Sequence, residues 1–437
     1  MPMTHSGVQQ STKVGENKKK SRPKYYLRDF LLGILPILLL VQFLGWLTFF
    51  PNALRGYSDF RQLYVAGYIL RTGQRHQLYD YSLQTKLQNT LVSSDERALP
   101  FIRPAYQALL FVPFSYLKYR AAYLAFLSLN VLLLWASFWV LRPEMKNLLS
   151  AWNGLPFGLF LGFYPVALAL MQGQDSIILL LLLSAALTLL RRNRDIIAGF
   201  LVGIGLFKFQ IVLPIALLFL LWRRWRFSAG FVISAAPVSF LSLLLVGWTE
   251  MQVFARSLFS VGAAMPGSAG QINFPLRITI MANLRGLIYG LCNGRLPGLW
   301  IQVLTIAISV LTLVWVALWT PRKPDGAHAL VLAITASVVV SYYLFIHDLS
   351  VLLVPIAVTL NRFISGGARG CGPFGHMAGG LSALLIVAPM FVFLIPGYFY
   401  FVSLPILMFL SMLLALQHKD AHDVHKSESC CWTPLIS

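Results

Sequence analysis

The sequence predicts an all-α polytopic membrane protein with about twelve membrane segments and two large loops on one face. Three observations carry that expectation. Of 437 residues, 57% are hydrophobic and only 11% charged, whereas soluble domains carry roughly a quarter charged residues. Apolar runs of about 20 residues, enough to cross a hydrocarbon core, recur along nearly the whole chain. Between them stand short basic runs, the pattern that turns Lys and Arg toward the cytoplasm. The net charge of +20 thus has a source that does not involve nucleic acid. No room remains for a soluble domain larger than a loop.

Residues 1–29 are polar and basic, with Lys18-Lys19-Lys20, Arg22, Lys24 and Arg28, and read as a cytoplasmic tail. The first apolar segment, about 30–50, is too long for the core of a signal peptide. Phe49-Phe50-Pro51-Asn52 is not a small-residue cleavage site, so the segment is an uncleaved helix. Further segments are expected at about 119–141, 151–171, 174–190, 196–207, 209–222, 227–247, 299–320, 327–346, 349–361, 377–395 and 399–416, followed by a cytoplasmic tail over 417–437. The cytoplasmic turns then hold Arg142 and Lys146, Arg191-Arg192-Asn193-Arg194, Arg223-Arg224-Trp225-Arg226, Pro321-Arg322-Lys323 and Arg362 to Arg369.

The outer loops fall at about 51–118 and 248–298. The first is amphipathic and ends in an apolar stretch, Pro104 to Leu117, too short to span. The short segments 196–207 and 209–222 meet at Lys208. Broken helices at membrane depth are tolerated where the backbone is protected or lines a cavity. The four cysteines, Cys292, Cys371, Cys430 and Cys431, lack metal-ligand spacing and are expected to be incidental.

In this topology the polar groups at membrane depth gather near the outer leaflet. Asp59 follows the first helix, Gln172-Gly173-Gln174-Asp175 joins two helices, and Lys208 lies between two short ones. Asn283-Leu284-Arg285-Gly286 is in the second loop, and His347-Asp348 sits at another outer turn. A charged residue at a helix centre costs roughly 2.5–3.5 kcal/mol on insertion scales, so convergence on one leaflet points to a cavity. Each group also has a bland reading. Asp59 can be a solvated cap, the Gly173-Gln174 turn a simple chain reversal, and Lys208 a snorkelling side chain. Arg285 can bind headgroups, and His347-Asp348 can be an interfacial pair. Read as chemistry, Lys and Arg hold an anionic phosphate and one carboxylate takes a proton from an attacking hydroxyl.

Several runs resemble glycosyltransferase family 87. They are Ser58-Asp59-Phe60, Tyr64-Val65-Ala66-Gly67, Gly73, Leu78-Tyr79-Asp80, Pro113, Ala122-Tyr123, Gln172 to Ser176, Ala198-Gly199, Lys208-Phe209-Gln210, Arg223-Arg224-Trp225, Asn283 to Gly286, and Ser341-Tyr342-Tyr343 with His347-Asp348. The resemblance covers about 55–360. It implies a membrane catalytic domain of the GT-C superfamily over 30–416, in a bacterial plasma membrane with an outward-facing site. It also implies a hexosyltransferase that takes mannose from a polyprenyl-phosphate donor, with inversion, to a glycolipid or glycan acceptor.

On that resemblance Asp59 is the catalytic base. In the glycosyltransferase reading Lys208 and Arg285 would hold the donor phosphate, with Arg103, which stands where the chain departs from the family, as an added contact, and Tyr64, Gln174, Asp175, His347 and Asp348 would line the sugar and acceptor site. No cofactor and no metal are implied. The chain departs from the family at Phe101-Ile102-Arg103-Pro104-Ala105, where Tyr-Pro-Pro is common, and at Lys208-Phe209, where Lys-Pro is frequent. Both departures bear on the acceptor more than on the reaction class. A transporter or flippase of a lipid-linked anionic sugar is the competing expectation, with the broken helices as gates. The lack of an internal repeat counts against it, and a non-catalytic scaffold leaves Lys208 unexplained.

Overall fold

The computed structural model describes residues 26–94, 97–260, 276–320, 324–364 and 373–430, and the described residues contain helices and no strand. The Lys18-to-Lys24 basic run, Arg322-Lys323, Arg369, Cys371 and Cys431 lie outside them. In chain order the first helices are α1 (Tyr26–Leu54), α2 (Phe60–Arg71), α3 (Tyr81–Leu91), α4 (Tyr106–Phe111), α5 (Tyr119–Leu141), α6 (Lys146–Ala151), α7 (Leu155–Gly162), α8 (Tyr164–Met171) and α9 (Ser176–Arg191). The rest are α10 (Asp195–Ile204), α11 (Phe209–Leu221), α12 (Trp225–Val246), α13 (Trp248–Ser260), α14 (Leu284–Cys292), α15 (Gly298–Trp319), α16 (Gly326–Val340), α17 (Leu353–Phe363), α18 (Pro373–Val387) and α19 (Ser403–Cys430).

Eight helical runs among the described residues are long and apolar enough to cross a membrane, and α9 and α16 are shorter apolar helices. The expected count of twelve is therefore not reproduced, and the differences have local causes. The 151–171 segment is two eight-residue helices, α7 and α8, separated by extended backbone at Phe163. Pro165 follows at once, and a proline nitrogen cannot donate back along a helix. The 327–346 segment stops at Val340, where Ser341 turns extended.

The pair 196–207 and 209–222 counts by length as one 27-residue run, Asp195–Leu221. A straight helix of that length would hold its ends about 40 Å apart. Instead Arg224 Nη2, just past one end, lies 3.1 Å from Asp195 Oδ2 at the other. The chain therefore reverses at the 3₁₀ turn Gly205–Lys208. Glycines make the return path possible. A Cβ on Gly199 would stand 2.0 Å from the Phe227 carbonyl oxygen, and one on Gly230 would stand 1.9 Å from that of Ile196. Small residues let α10 and α12 bring their backbones together, the usual basis of helix association in lipid.

The helix ends sort into two layers. At one, Arg191 pairs with Glu144 and Asp325, both at 3.2 Å. There Arg224 also donates to the Pro324 carbonyl at 3.2 Å, and the Asn147 backbone N–H donates to Asn361 Oδ1 at 2.7 Å. The basic turns after α5, α9, α11 and α17 thus share one end of the bundle. The other end carries α2–α4 and α13, packed around a second hydrophobic core of Phe60, Tyr64, Phe111, Tyr119, Tyr123 and Phe126. The Pro104–Leu117 stretch belongs to it as α4 and a 3₁₀ turn, with Leu109, Leu110 and Tyr116 exposed.

Candidate active site

A partly open cavity of about 180 Å³ lies at the end opposite the basic turns. The turn between α8 and α9 is its floor. Gly173 takes φ +59°, the left-handed conformation that ends many helices. Gln174 N–H donates to the Ala169 carbonyl at 2.8 Å and Gly173 N–H to that of Leu170 at 3.1 Å. Only glycine fits here, since a Cβ would meet the Phe60 Cβ at 2.8 Å. The reversal aims Gln172 and Gln174 back toward α2 and the 346–352 turn.

Asp59 stands immediately before α2, yet its carboxylate makes no capping hydrogen bond. Its Oδ2 accepts instead from Gln174 Nε2 at 2.6 Å, so a solvated cap does not describe it. Gln174 is a bridge, because its Oε1 accepts from Arg103 Nη2 at 2.9 Å. Arg103 Nη1 also pairs with Asp175, as does the amide of Gln107. Asp175 is fully buried and lies 3.1 Å from Lys208 Nζ. Lys208, only 3% exposed, reaches Asp348 Oδ1 at 2.6 Å.

Lys208 therefore does not snorkel. It is held between two carboxylates, which offset the desolvation of all three groups. Asp348 further accepts from Ser176 Oγ at 3.0 Å and from the Phe345 backbone N–H at 3.1 Å. His347 Nδ1 is 3.0 Å from Gln172 Oε1 and its Nε2 is 3.6 Å from Asp348. One polar chain thus runs from Asp59 through Gln174, Arg103, Asp175 and Lys208 to Asp348.

Asp59, Arg103, Gln174, Lys208, His347 and Asp348, each marked by the sequence, line the cavity. Asp175 is buried behind that wall. Tyr64 and Arg285 are not among the lining residues. The Tyr64 hydroxyl donates to the Leu117 carbonyl at 2.9 Å and its ring packs edge-on against Tyr119, so it builds the second core. The Arg285 guanidinium stacks over Tyr342 and Tyr343, 3.9 and 4.9 Å from their ring centroids, and donates to the Tyr342 carbonyl at 3.1 Å. Tyr343 therefore stands between Arg285 and the cavity as a lining residue.

Sequence reasoning missed Gln62, Gln107 and the Leu99-Pro100-Ile102 wall, and quoted Gln210 only as part of a matching run without giving it a place in the site. Gln62 had one available signal, its place three residues after Asp59 on the same helical face. The wall had none, because it depends on long-range contacts. Gln88 on α3 grips Leu99 through both backbone groups, at 2.9 and 2.7 Å. Gln84 accepts from Phe101 N–H at 2.8 Å, and the buried Arg61 holds Gln88 at 2.8 Å. These contacts set the extended strip that delivers Arg103. Among the described residues no cluster of His, Cys, Asp and Glu could hold a metal ion.

The chain matches glycosyltransferase family 87 over residues 101–344, more than half its length. Arg103, Gln174, Asp175, Lys208 and Arg285 lie inside the matched stretch; Asp59, Tyr64, His347 and Asp348 lie outside it. No curated protein and no solved structure matches. With that stretch covering four of the eight membrane-length runs and most of the cavity wall, the chain belongs to glycosyltransferase family 87, and is a multi-pass membrane glycosyltransferase.

Proposed function

We propose that the chain transfers a hexose, mannose by the family resemblance, from a polyprenyl-phosphate donor to a hydroxyl of a glycan or glycolipid. The proposed face is the outer one, opposite the basic turns, in keeping with the tendency of Lys and Arg to stay inside. The observation that carries this reading is Asp59: an acid at the cavity wall that, among the described residues, neither caps its helix nor pairs with a cation. Gln174 occupies one of its oxygens and leaves the other for the proton of the attacking hydroxyl. A lipid phosphate is already a good leaving group, so a single base suffices and the anomeric centre inverts. A hydrolase of the inverting kind needs a second carboxyl as acid; this transfer does not.

Arg103 is the proposed phosphate ligand. A guanidinium has five N–H donors, and Asp175 and Gln174 occupy two of its nitrogens. Lys208, committed to two carboxylates, fixes Asp175 behind Arg103 rather than reaching the phosphate. Arg285 acts from outside the cavity by holding Tyr343. Gln174, His347 and Asp348 line the sugar and acceptor side.

The test is purified full-length protein in lipid nanodiscs, given a labelled polyprenyl-phosphate hexose and glycan acceptors beside an Asp59→Asn variant. The reading expects transfer by the wild type and a loss of about 10²–10⁴-fold in the variant. Neither transfer nor donor hydrolysis by the wild type, or full activity in the variant, would sink it.

A further inference from the structure

The cavity contains polar groups of two kinds, those already committed to one another and those left open. Lys208 is shared between Asp175 and Asp348 at 3.1 and 2.6 Å. Arg103 is bound to Asp175 and to Gln174, and Gln174 spends its remaining amide hydrogen-bonding group on Asp59. His347 is tied to Gln172 at 3.0 Å, and the Tyr343 hydroxyl donates to the Leu258 carbonyl. Gln62 and Gln210 differ. Both line the cavity and are half-buried. Among the described residues the structure gives neither side chain a hydrogen-bond partner, which leaves both amides open to whatever occupies the cavity.

We propose that Gln62 and Gln210 are the specificity determinants of this cavity, and that they select an uncharged sugar. This rests on the glycosyltransferase reading above. A carboxamide offers donors and an acceptor together, which matches a hydroxyl, itself both donor and acceptor. An anionic substituent such as a uronate would instead require uncommitted donors. The charges point the same way. Asp59, Asp175 and Asp348 stand against Arg103 and Lys208, an excess of one acid before any substrate enters. The donor phosphodiester adds a further negative charge and takes up what Arg103 has left. A charged acceptor sugar would bring a third uncompensated anion into a partly desolvated space, where like charges repel strongly.

Gln62 lies one helical turn beyond Asp59 on the same face of α2, so it meets the sugar whose hydroxyl Asp59 activates. Gln210 lies two residues past Lys208 at the start of α11. The two amides thus come to one cavity from two different helices.

The experiment measures equilibrium binding of a methyl hexoside and of the methyl uronide of the same configuration to full-length protein in nanodiscs, by ligand-observed NMR. Donor turnover with each as acceptor is followed in parallel. The hexoside is expected to bind at least about tenfold more tightly than the uronide, a difference of about 1.4 kcal/mol. Gln62→Ala and Gln210→Ala are each expected to weaken hexoside binding about three- to tenfold, the range of one neutral hydrogen bond. Gln62→Glu, nearly isosteric, guards against misfolding: it should keep the melting temperature while disfavouring the uronide further. Equal or tighter binding of the uronide, or unchanged hexoside binding in both alanine variants, would overturn the proposal. If the hexoside binds as expected but the wild type never consumes donor, the glycosyltransfer reading fails and the sugar selectivity stands by itself.

Discussion

Lys208 shows how a single residue changes meaning once its neighbours are known. The sequence marked it as a cation at an interrupted helix and gave it a phosphate. In the fold its ammonium is buried between Asp175 and Asp348, so its first role is to let two carboxylates exist at this depth. Removing one partner of a buried ionic group leaves the others uncompensated, at a cost of about 3–5 kcal/mol. Lys208→Met is therefore expected to lower stability by that order, measured by chemical unfolding in mixed micelles, with part of the loss recovered in Lys208→Met/Asp348→Asn. A Lys208→Met protein as stable as wild type would show the network to be dispensable. Asp59, by contrast, was marked as the base candidate by the family resemblance, which expects an acid just after the first helix. That it declines to cap α2 was not legible, because capping depends on a rotamer that the sequence does not reveal.

At the scale of elements, the hairpin of α10 and α11 was readable because Lys208 interrupts two apolar runs too short to span. Its closeness to α12 rests on Gly199 and Gly203, one turn apart on α10, and on Gly230 of α12. Gly199→Ala and Gly230→Ala would each drive a methyl against a carbonyl oxygen and are expected to cost about 1–3 kcal/mol. Gly380→Ala, where nothing lies within 4 Å, is the control and should be neutral or slightly stabilising, since alanine favours helix over glycine. Unfolding midpoints of the three variants decide the matter; equal midpoints would contradict the close packing of α10 on α12. Helix positions were largely legible, since apolar length decides them. The break at Phe163 was overlooked although its cause, Pro165, stands beside it in the sequence, whereas the Gln84–Gln88 grip on residues 99–101 was not legible, because buried amides act through contacts distant in sequence.

Across the whole molecule, the two ends differ in chemistry. Trp225 and Trp319 are exposed beside the basic turns, Trp248 and Trp300 beside the cavity end. About 30 Å of helix separates Trp225 from Trp248 along α12, and Trp319 from Trp300 along α15, the thickness of a hydrocarbon core. The basic end also holds a pH-sensitive contact. The hydrogen bond from His328 to Asp325, 2.9 Å long, is the main reason that carboxyl is lowered to about 2, and Arg191 adds to it. A carboxyl depressed in the fold adds stability above its unfolded value near 4, and that stability is lost as pH falls toward 2. Half exposure keeps the contribution below about 1 kcal/mol. The stability gap between wild type and His328→Ala should therefore be present at pH 5 and shrink by pH 2.5; a constant gap would remove Asp325 as the cause.

The central claim, direct displacement at the sugar by a hydroxyl that a single carboxylate activates, is tested most directly by the anomeric configuration of the product. Wild-type protein is given a β-linked polyprenyl-phosphate hexose and a glycan acceptor, and the anomeric carbon of the new linkage is read by its one-bond C–H coupling. The account predicts an α-glycoside. A β-glycoside would mean two displacements or a different nucleophile, and would contradict the role given to Asp59.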